Sequence, residues 1–502
     1  MPSSNCATGE SVTEAVIGRF FHLSATRFCT SVAAQQRGHR HLAPVPVAKL
    51  SLRYSVSIHS SKAQPPMTTP ITLTVGAITL TFNKWEIGVD HGMLFQESDR
   101  QRRRHPDIDY RYYDEHPEED PAQSETCFCR SLGSMLPRLE LLGYSLATVK
   151  AEYEMQVTQD AEWYDEDDGM PSPTRPARLE FAKFVEFIRK YPVSDLDDEY
   201  RPDTESGSEQ WRARLAADPA VDLLPQGDQD RDVDGYSERS HFGGLIGFLC
   251  PYSVLRVLAE NPANLTLDVV WDYGNFVAAG WAKNEEFVAG ARRAQTFLLA
   301  TEGTSDTHIL KRGLSLLRPD VGDFFRFIDI EERHPFSGTG SLAKFAEGLV
   351  KIDVHNRVVF VFDNDAEGTD AYRSLQRFSF PVNMRSMLLP DLDQLRDFPA
   401  RGPSGIMRTD INGRAAAIEC YLDLRLAGRP EAQVTWTNFK ESMGIYQGAL
   451  DFKESYAKAF YGASIEAIEN GTYDVSKLKA VLDALFATCC AISTDILRRE
   501  SR

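Results

Sequence analysis

Two apolar runs that each break off at a carboxylate constrain this chain more than any other feature. The first, Thr296-Phe-Leu-Leu-Ala-Thr301, ends at Glu302-Gly303-Thr304-Ser305-Asp306. The second, Arg357-Val-Val-Phe-Val-Phe362, ends at Asp363-Asn364-Asp365-Ala366-Glu367-Gly368. Runs of large or β-branched apolar residues offer no polar face to water, so each predicts a strand covered on both sides. The helix-compatible stretch behind each predicts βαβ units. In such a sheet the ligand crevice lies outside the carboxyl ends of the strands, which is where Glu302, Asp363 and Asp365 fall. Carboxylates gathered at one edge repel one another unless a cation joins them. Mg²⁺ suits the position, because it takes oxygen ligands in octahedral geometry and keeps waters and substrate phosphates in its shell. Alone, an Asp-x-Asp after a strand is an ordinary turn or helix cap. Two acidic strand ends in succession, with a glycine-led helix between them, point instead to chemistry.

At these residues, over roughly positions 295 to 395, the chain resembles the Toprim family. This is the catalytic domain shared by topoisomerases, bacterial primases and the overcoming-lysogenization-defect nucleases. The family pattern is a Glu after the first strand and an Asp-x-Asp after a later one, here Glu302 and Asp363-Asn364-Asp365. The resemblance implies an α/β fold with a Rossmann-like parallel sheet, in which Mg²⁺ or Mn²⁺, two ions in the nuclease branch, clamp the attacking and leaving oxygens of a phosphodiester. Glu302 is then a metal ligand and general acid/base, with Asp363 and Asp365 on the first metal. Asp306 matches the nuclease branch as a ligand of the second metal, although Ser305-Asp306 equally suits a cap for the helix through His308, Ile309 and Leu310. Ser337-Gly338-Thr339-Gly340-Ser341 resembles the same branch. Gly338 and Gly340 would let backbone N–H groups at a helix N-terminus approach an anionic oxygen.

A third strand is expected at Met384 to Leu389. Beyond it the resemblance implies a late acidic ligand, for which Glu419 is the candidate. Its segment, Asn412 to Leu422, has helical spacing with Ile418 and Leu422 on one face, so Glu419 could also be a surface helix carboxylate. Lys453 stands where related nucleases supply a lysine to the transition state, with Lys440 as the second choice. An ammonium there neutralises developing charge without reorganising. Residues 396 to 502 are expected to be a helical C-terminal extension.

The preceding residues divide in two. Residues 1 to 66 hold only Glu10 and Glu14 against seven Lys and Arg, and read as a disordered leader. It resembles a transit peptide or, on the preferred reading, an upstream extension before a start at Met67. Residues 67 to 290 read as an α+β unit. The alternation Ile71 to Phe82 predicts a hairpin turning at Gly76-Ala77, and Ser131 to Tyr153 predicts two amphipathic helices split at Gly143. Trp85-Glu-Ile-Gly-Val-Asp-His91, Leu94-Phe95-Gln96 and Pro137-Arg138-Leu139-Glu140-Leu-Leu-Gly143-Tyr144 resemble the N-terminal domain of the HEPN/Toprim-associated family. In that family the shared domain precedes either a HEPN ribonuclease domain or a Toprim domain. The HEPN-like spacing from Arg100 to His105 reads better as a charged, solvated loop. Trp85, Phe95, Tyr110, Tyr112 and Tyr113, interleaved with Arg102 to Arg104 and Arg111, are either base-stacking groups or core and edge residues.

A net charge of −18 disfavours tight nonspecific binding to nucleic acid, but the excess is local. Glu152 to Glu209 carries 17 acidic against 6 basic side chains, a pattern of solvated loops. The eight cysteines include no Cys-x-x-Cys pair and point to a reducing, cytoplasmic setting. Phe242 to Ala259 is broken by Pro251 and Arg256, and Leu478 to Leu497 carries Asp483 and Asp495, so no membrane span is expected. The resulting expectation is a Mg-dependent nuclease cutting DNA or RNA in prokaryotic anti-phage or anti-plasmid defence, with a partner protein of the defence system as a candidate partner. The alternative is a non-catalytic nucleotide- or nucleic-acid-binding module in a sensing complex.

Overall fold

The computed structural model describes residues 70–84, 86–105, 108–166, 178–200, 213–225, 237–328, 338–352, 354–426 and 428–500. The proposed leader, the Met67 start and Trp85 lie outside them. The first half is built on an antiparallel sheet of β1 (Ile71–Val75), β2 (Ile78–Asn83), β3 (Arg100–Arg102), β4 (Thr126–Ser131) and β5 (Asp268–Asp272), in the order β2-β1-β5-β4-β3. The expected hairpin is present. Gly76 and Ala77 both adopt positive φ (51° and 69°), the conformation whose twist matches the flanking strands. The helices Leu132–Leu142 and Leu146–Glu166 are split at Gly143, whose φ of 102° makes a left-handed C-cap. Ile71, Leu73 and Val75 point into one core with Met135, Leu139, Phe184, Leu255 and Trp271.

Arg100 to His105 is a loop only from Arg103 onward. Arg100–Arg102 is an edge strand whose charges are paired, Arg102 with Glu125 and Asp120, Arg103 with Asp268, while His105 faces Asp272. The neighbouring rings are spent similarly: Phe95 is buried against Phe128, Arg104 covers Tyr110, and Tyr112 and Tyr113 bond Glu119 and Ser124.

The second half contains the parallel sheet read from the sequence. β6 (Phe297–Thr301), β7 (Phe325–Phe327), β8 (Arg357–Phe362) and β10 (Met384–Leu388) run parallel in the order β10-β8-β6-β7; β9 (Asn364–Asp365) belongs to a separate pair described below. Alternate residues of β8 serve opposite faces. Val358, Phe360 and Phe362 pack with Leu342, Ala346 and Leu375, whereas Val359 and Val361 join Leu310, Leu314 and Leu482. Burial on both faces is why these runs carry no polar alternation.

The C-terminal portion departs from expectation. Among the described residues its α-helices are Lys453–Gly462, Ile465–Glu469 and Ser476–Glu500. Before them stands a second sheet of β11 (Phe398–Gly402), β12 (Gly405–Thr409), β14 (Val434–Lys440) and β15 (Ile445–Leu450), ordered β12-β11-β14-β15. The short β13 (Ala415–Ala416) pairs instead with β9. The predicted helix through Ile418 and Leu422 is a single turn of 3₁₀, Ile418–Tyr421, because this segment is buried on all sides and cannot present a polar face.

Among the described residues, Ser476–Glu500 is long and apolar enough to cross a membrane, with a mean hydropathy of 1.7 over its most apolar 18 residues, contrary to the reading from its two aspartates. Here its apolar side is covered. Leu478, Val481, Leu482, Leu485, Cys489 and Ile492 are buried, and Ser493 donates to the Leu141 carbonyl at 2.6 Å. The two helices Glu238–Ile246 and Pro251–Leu258 meet at a 112° bend.

Candidate active site

The chain leaves β6 for a neighbour on one side, β7, and later returns to its other side as β8, so the direction of strand order reverses at β6. Such a reversal opens a crevice at the carboxyl ends of the strands. Glu302 follows the last residue of β6 and Asp363 the last of β8, so both stand at that crevice. They are joined directly: the Asp363 N–H donates to Glu302 Oε1 at 3.0 Å.

Three more carboxylates converge on them. Asp306 lies in the first turn of the helix Thr304–Leu317 and accepts from the Gly303 N–H at 2.9 Å through Oδ2. It therefore caps its helix, as the capping reading of Ser305-Asp306 expected. Asp365 caps the helix Ala366–Leu375, accepting from the Gly368 N–H at 2.7 Å. Glu419 is 4% exposed and accepts from Ser305 at 2.6 Å, which rules out the surface-helix alternative. Its turn also brings the Ile418 N–H to Asp363 Oδ1 at 2.9 Å.

Burial first, and then mutual repulsion, dominate the electrostatics. Desolvation pushes Glu302 up to about 8 against the Thr339 hydroxyl bond that lowers it, with Asp365 adding repulsion. Burial, and then Glu419, push Asp306 up to about 7, opposed by the Gly303 N–H and by Lys453. Asp363 is raised well above the ordinary range by burial and by Asp306, Glu302, Asp365 and Glu419. Lys453 begins the helix Lys453–Gly462 and is exposed, so it reaches this field from the solvent side. Lys440 is committed to Asp370 at 3.3 Å.

Gly338 has a φ of 109° and precedes the helix Thr339–Lys351, with open space where its Cβ, and that of Gly340, would lie. Thr339 donates to Glu302 Oε2 at 2.5 Å, which brings this helix N-terminus against the carboxylates.

Several participants were not singled out from sequence. Gln447 on β15 donates to Asp365 Oδ2 at 2.6 Å and accepts from the N–H groups of Ala366 and Glu367. Asn364 is buried and holds Asp391 and the Gly413 N–H, fixing the Asp-x-Asp through the β9–β13 pair. Tyr461 lies in the field of Glu419 and Asp306. A Cβ on Gly368 would lie 2.1 Å from the Asp363 carbonyl oxygen and 2.9 Å from Glu302 Oε1, so only glycine fits. Asp-x-Asp-x-x-Gly was the readable signal for that glycine; for Gln447 there was none.

The donor set is all oxygen and anionic, the chemistry of a hard divalent cation. Among the described residues, however, no three such side chains form a ready ligand shell. Glu302 and Asp365 each have both oxygens engaged by protein donors. Asp306, Asp363 and Glu419 each have one described bond.

Comparison with known families bears on the first half of the chain. A model for HEPN/Toprim N-terminal domain 1 matches residues 67–295. Residues 67–295 are a HEPN/Toprim N-terminal domain. The recognition made from His91, Phe95 and the Pro137–Tyr144 segment is borne out for the HEPN/Toprim N-terminal domain, while the match stops short of Glu302. No curated protein and no solved structure matches the chain.

Proposed function

We propose that this protein is a metal-dependent nuclease of the Toprim type. The observation carrying the reading is the convergence of five carboxylates, from three separate chain segments, at the switch point of a parallel sheet, with Lys453 lowering Asp306 there. Glu302, Asp363 and Asp365 would hold one Mg²⁺ or Mn²⁺, and Asp306 with Glu419 a second. The ions when bound would activate water and stabilise charge on a phosphodiester. The chain's own residues supply the rest. Thr339 and the Asp363 N–H orient Glu302; Gln447 and the Gly368 N–H orient Asp365; Lys453 offsets charge on the solvent side; the Gly338-Thr339-Gly340 turn leaves room for a phosphate oxygen. Glu302, raised towards neutrality, is suited to accept and return a proton. Its N-terminal domain links the chain by association to anti-phage or anti-plasmid defence.

The engaged oxygens of Glu302 and Asp365 favour a second reading, a nucleotide- or nucleic-acid-binding module that does not cut. Cleavage of single- and double-stranded DNA and RNA, with Mg²⁺, Mn²⁺ or EDTA and beside Glu302→Ala and Asp363→Ala, separates the two. Metal-dependent cutting lost in both variants supports the nuclease. Binding that survives both variants, with no cutting by the unmodified chain, supports the module.

A further inference from the structure

One face of the β11–β15 sheet changes character along its length. Val434, Ala400 and Leu450 bury its base, but farther along the same face come Trp436, Tyr446 and Phe439, with Phe439 and Tyr446 50% and 52% exposed. The rings form a connected set: Trp436 to Tyr446 at 6.4 Å between centroids, and Tyr446 to Phe439 at 5.0 Å. Trp436 can lie flat on the sheet because Gly448 and Gly402 sit beneath it, where added Cβ atoms would come within 2.9 and 3.2 Å of the indole. This face begins beside the carboxylates. Ala415, paired with Asp365 across β13–β9, lies against Gly448, and Gln447, whose side chain leaves the edge strand β15 on the opposite face from Tyr446, holds Asp365.

Charge identifies the occupant. In a chain of net charge −18, most arginines described above are paired with carboxylates. Among the described residues, Arg414 beside Asp365 and Arg429, stacked over the Phe452 ring at 4.5 Å, form no ion pair with a carboxylate, and exposed Lys453 stands in the field of Asp306. We propose that the face carries a single-stranded segment of nucleic acid, its bases stacked on Trp436, Tyr446 and Phe439 and its phosphates led past Arg414 and Lys453 to the carboxylates. Exposed rings beside cations are the elements of sequence-tolerant single-strand binding, and paired bases have no free faces to offer them. The assignment rests on the nuclease reading for its direction towards the carboxylates but not for the binding.

The test uses the full chain in EDTA, so that binding is read without cutting. Fluorescence anisotropy with labelled 15-nucleotide single strands and the matching duplex should show preference for the single strand. Phe439→Ala with Tyr446→Ala should weaken that binding by roughly tenfold or more for each ring removed, and Tyr446→Phe should restore it. Equal affinity of the double variant and the unmodified chain, preference for the duplex, or no single-strand binding at all overturns the proposal. So does a self-associated species in sedimentation that the double variant abolishes, since a second copy would then cover the face. Ring-dependent binding without cutting in Mg²⁺ would leave this proposal standing and remove the nuclease reading. Cutting unaffected by the ring variants would do the reverse.

Discussion

Raising the pH should destabilise the metal-free protein over a range where most proteins are indifferent. Glu302 has an ordinary carboxylate value of 4.5 and is pushed up to about 8 in the fold. Between those values the folded state holds a proton that the unfolded state has released, so stability is full below about 4.5 and is lost as pH climbs towards 8. His91 acts oppositely: burial lowers it from 6.5 to about 4, so its contribution is lost on acidification below 6.5. The clean window is therefore pH 6.5 to 8.5. Across the rise from 6.5 to 8, Glu302 alone loses roughly 1.5 pH units of protection, or about 2 kcal/mol. Asp306 adds less, because its raised value of about 7 is passed early in the window. For a cooperative unit of this size that corresponds to a fall in Tm of roughly 2–6 °C in EDTA. Saturating Mg²⁺ should reverse it at pH 8.5 and act weakly at pH 6.5, where protons compete for the same oxygens. Glu302→Gln should shrink the fall to what the raised Asp306 and Asp363 contribute. A Tm constant from pH 6.5 to 8.5 in EDTA, or a fall of undiminished size in Glu302→Gln, would refute the reasoning.

Gly368→Ala should cost about 2–4 kcal/mol and most of the divalent-metal affinity in calorimetry, because the new methyl must push the helix start away from Asp363 and break the Asp365 cap. Gln447→Ala should leave the fold intact by circular dichroism but weaken metal binding on the order of tenfold, since Asp365 loses the donor that aims it. Arg138 is wholly buried and makes two bonds to Asp323 and others to the Met93, Phe95 and Asp320 carbonyls, so Arg138→Leu should destabilise by about 3–5 kcal/mol in urea unfolding.

What could be read from sequence was what local pattern dictates. β6 and β8 announced themselves because a strand buried on both faces cannot hide polar residues, and the change from Phe362 to Asp363 marked its end. The Gly143 break was legible for the same reason: a left-handed cap favours glycine. β7 was missed because three residues, Phe325 to Phe327, carry no period. The β11–β15 sheet was missed because Val434 to Lys440 mixes Thr and Asn with apolar groups on a half-exposed surface, while the four-residue spacing from Ile418 to Leu422 imitated a helix. Gln447 illustrates the deeper limit. Its role depends on an 82-residue separation closed by the fold, and a single glutamine in a strand announces nothing.

The helix Ser476–Glu500 has a consequence for how the molecule is made. It covers Leu310 and Leu314 beside the parallel sheet, and its Ser493 carbonyl lies 2.8 Å from where a Cβ on Gly143 would be, in the HEPN/Toprim N-terminal domain. Arg357, at the start of the strand that ends before Asp363, donates to both Ser493 and Leu141. Neither half can seal its core until residues 476–500 leave the ribosome. A nascent chain stalled before them would present uncovered apolar surface on both halves to chaperones, and the carboxylates would not be held in place until synthesis of that helix was complete.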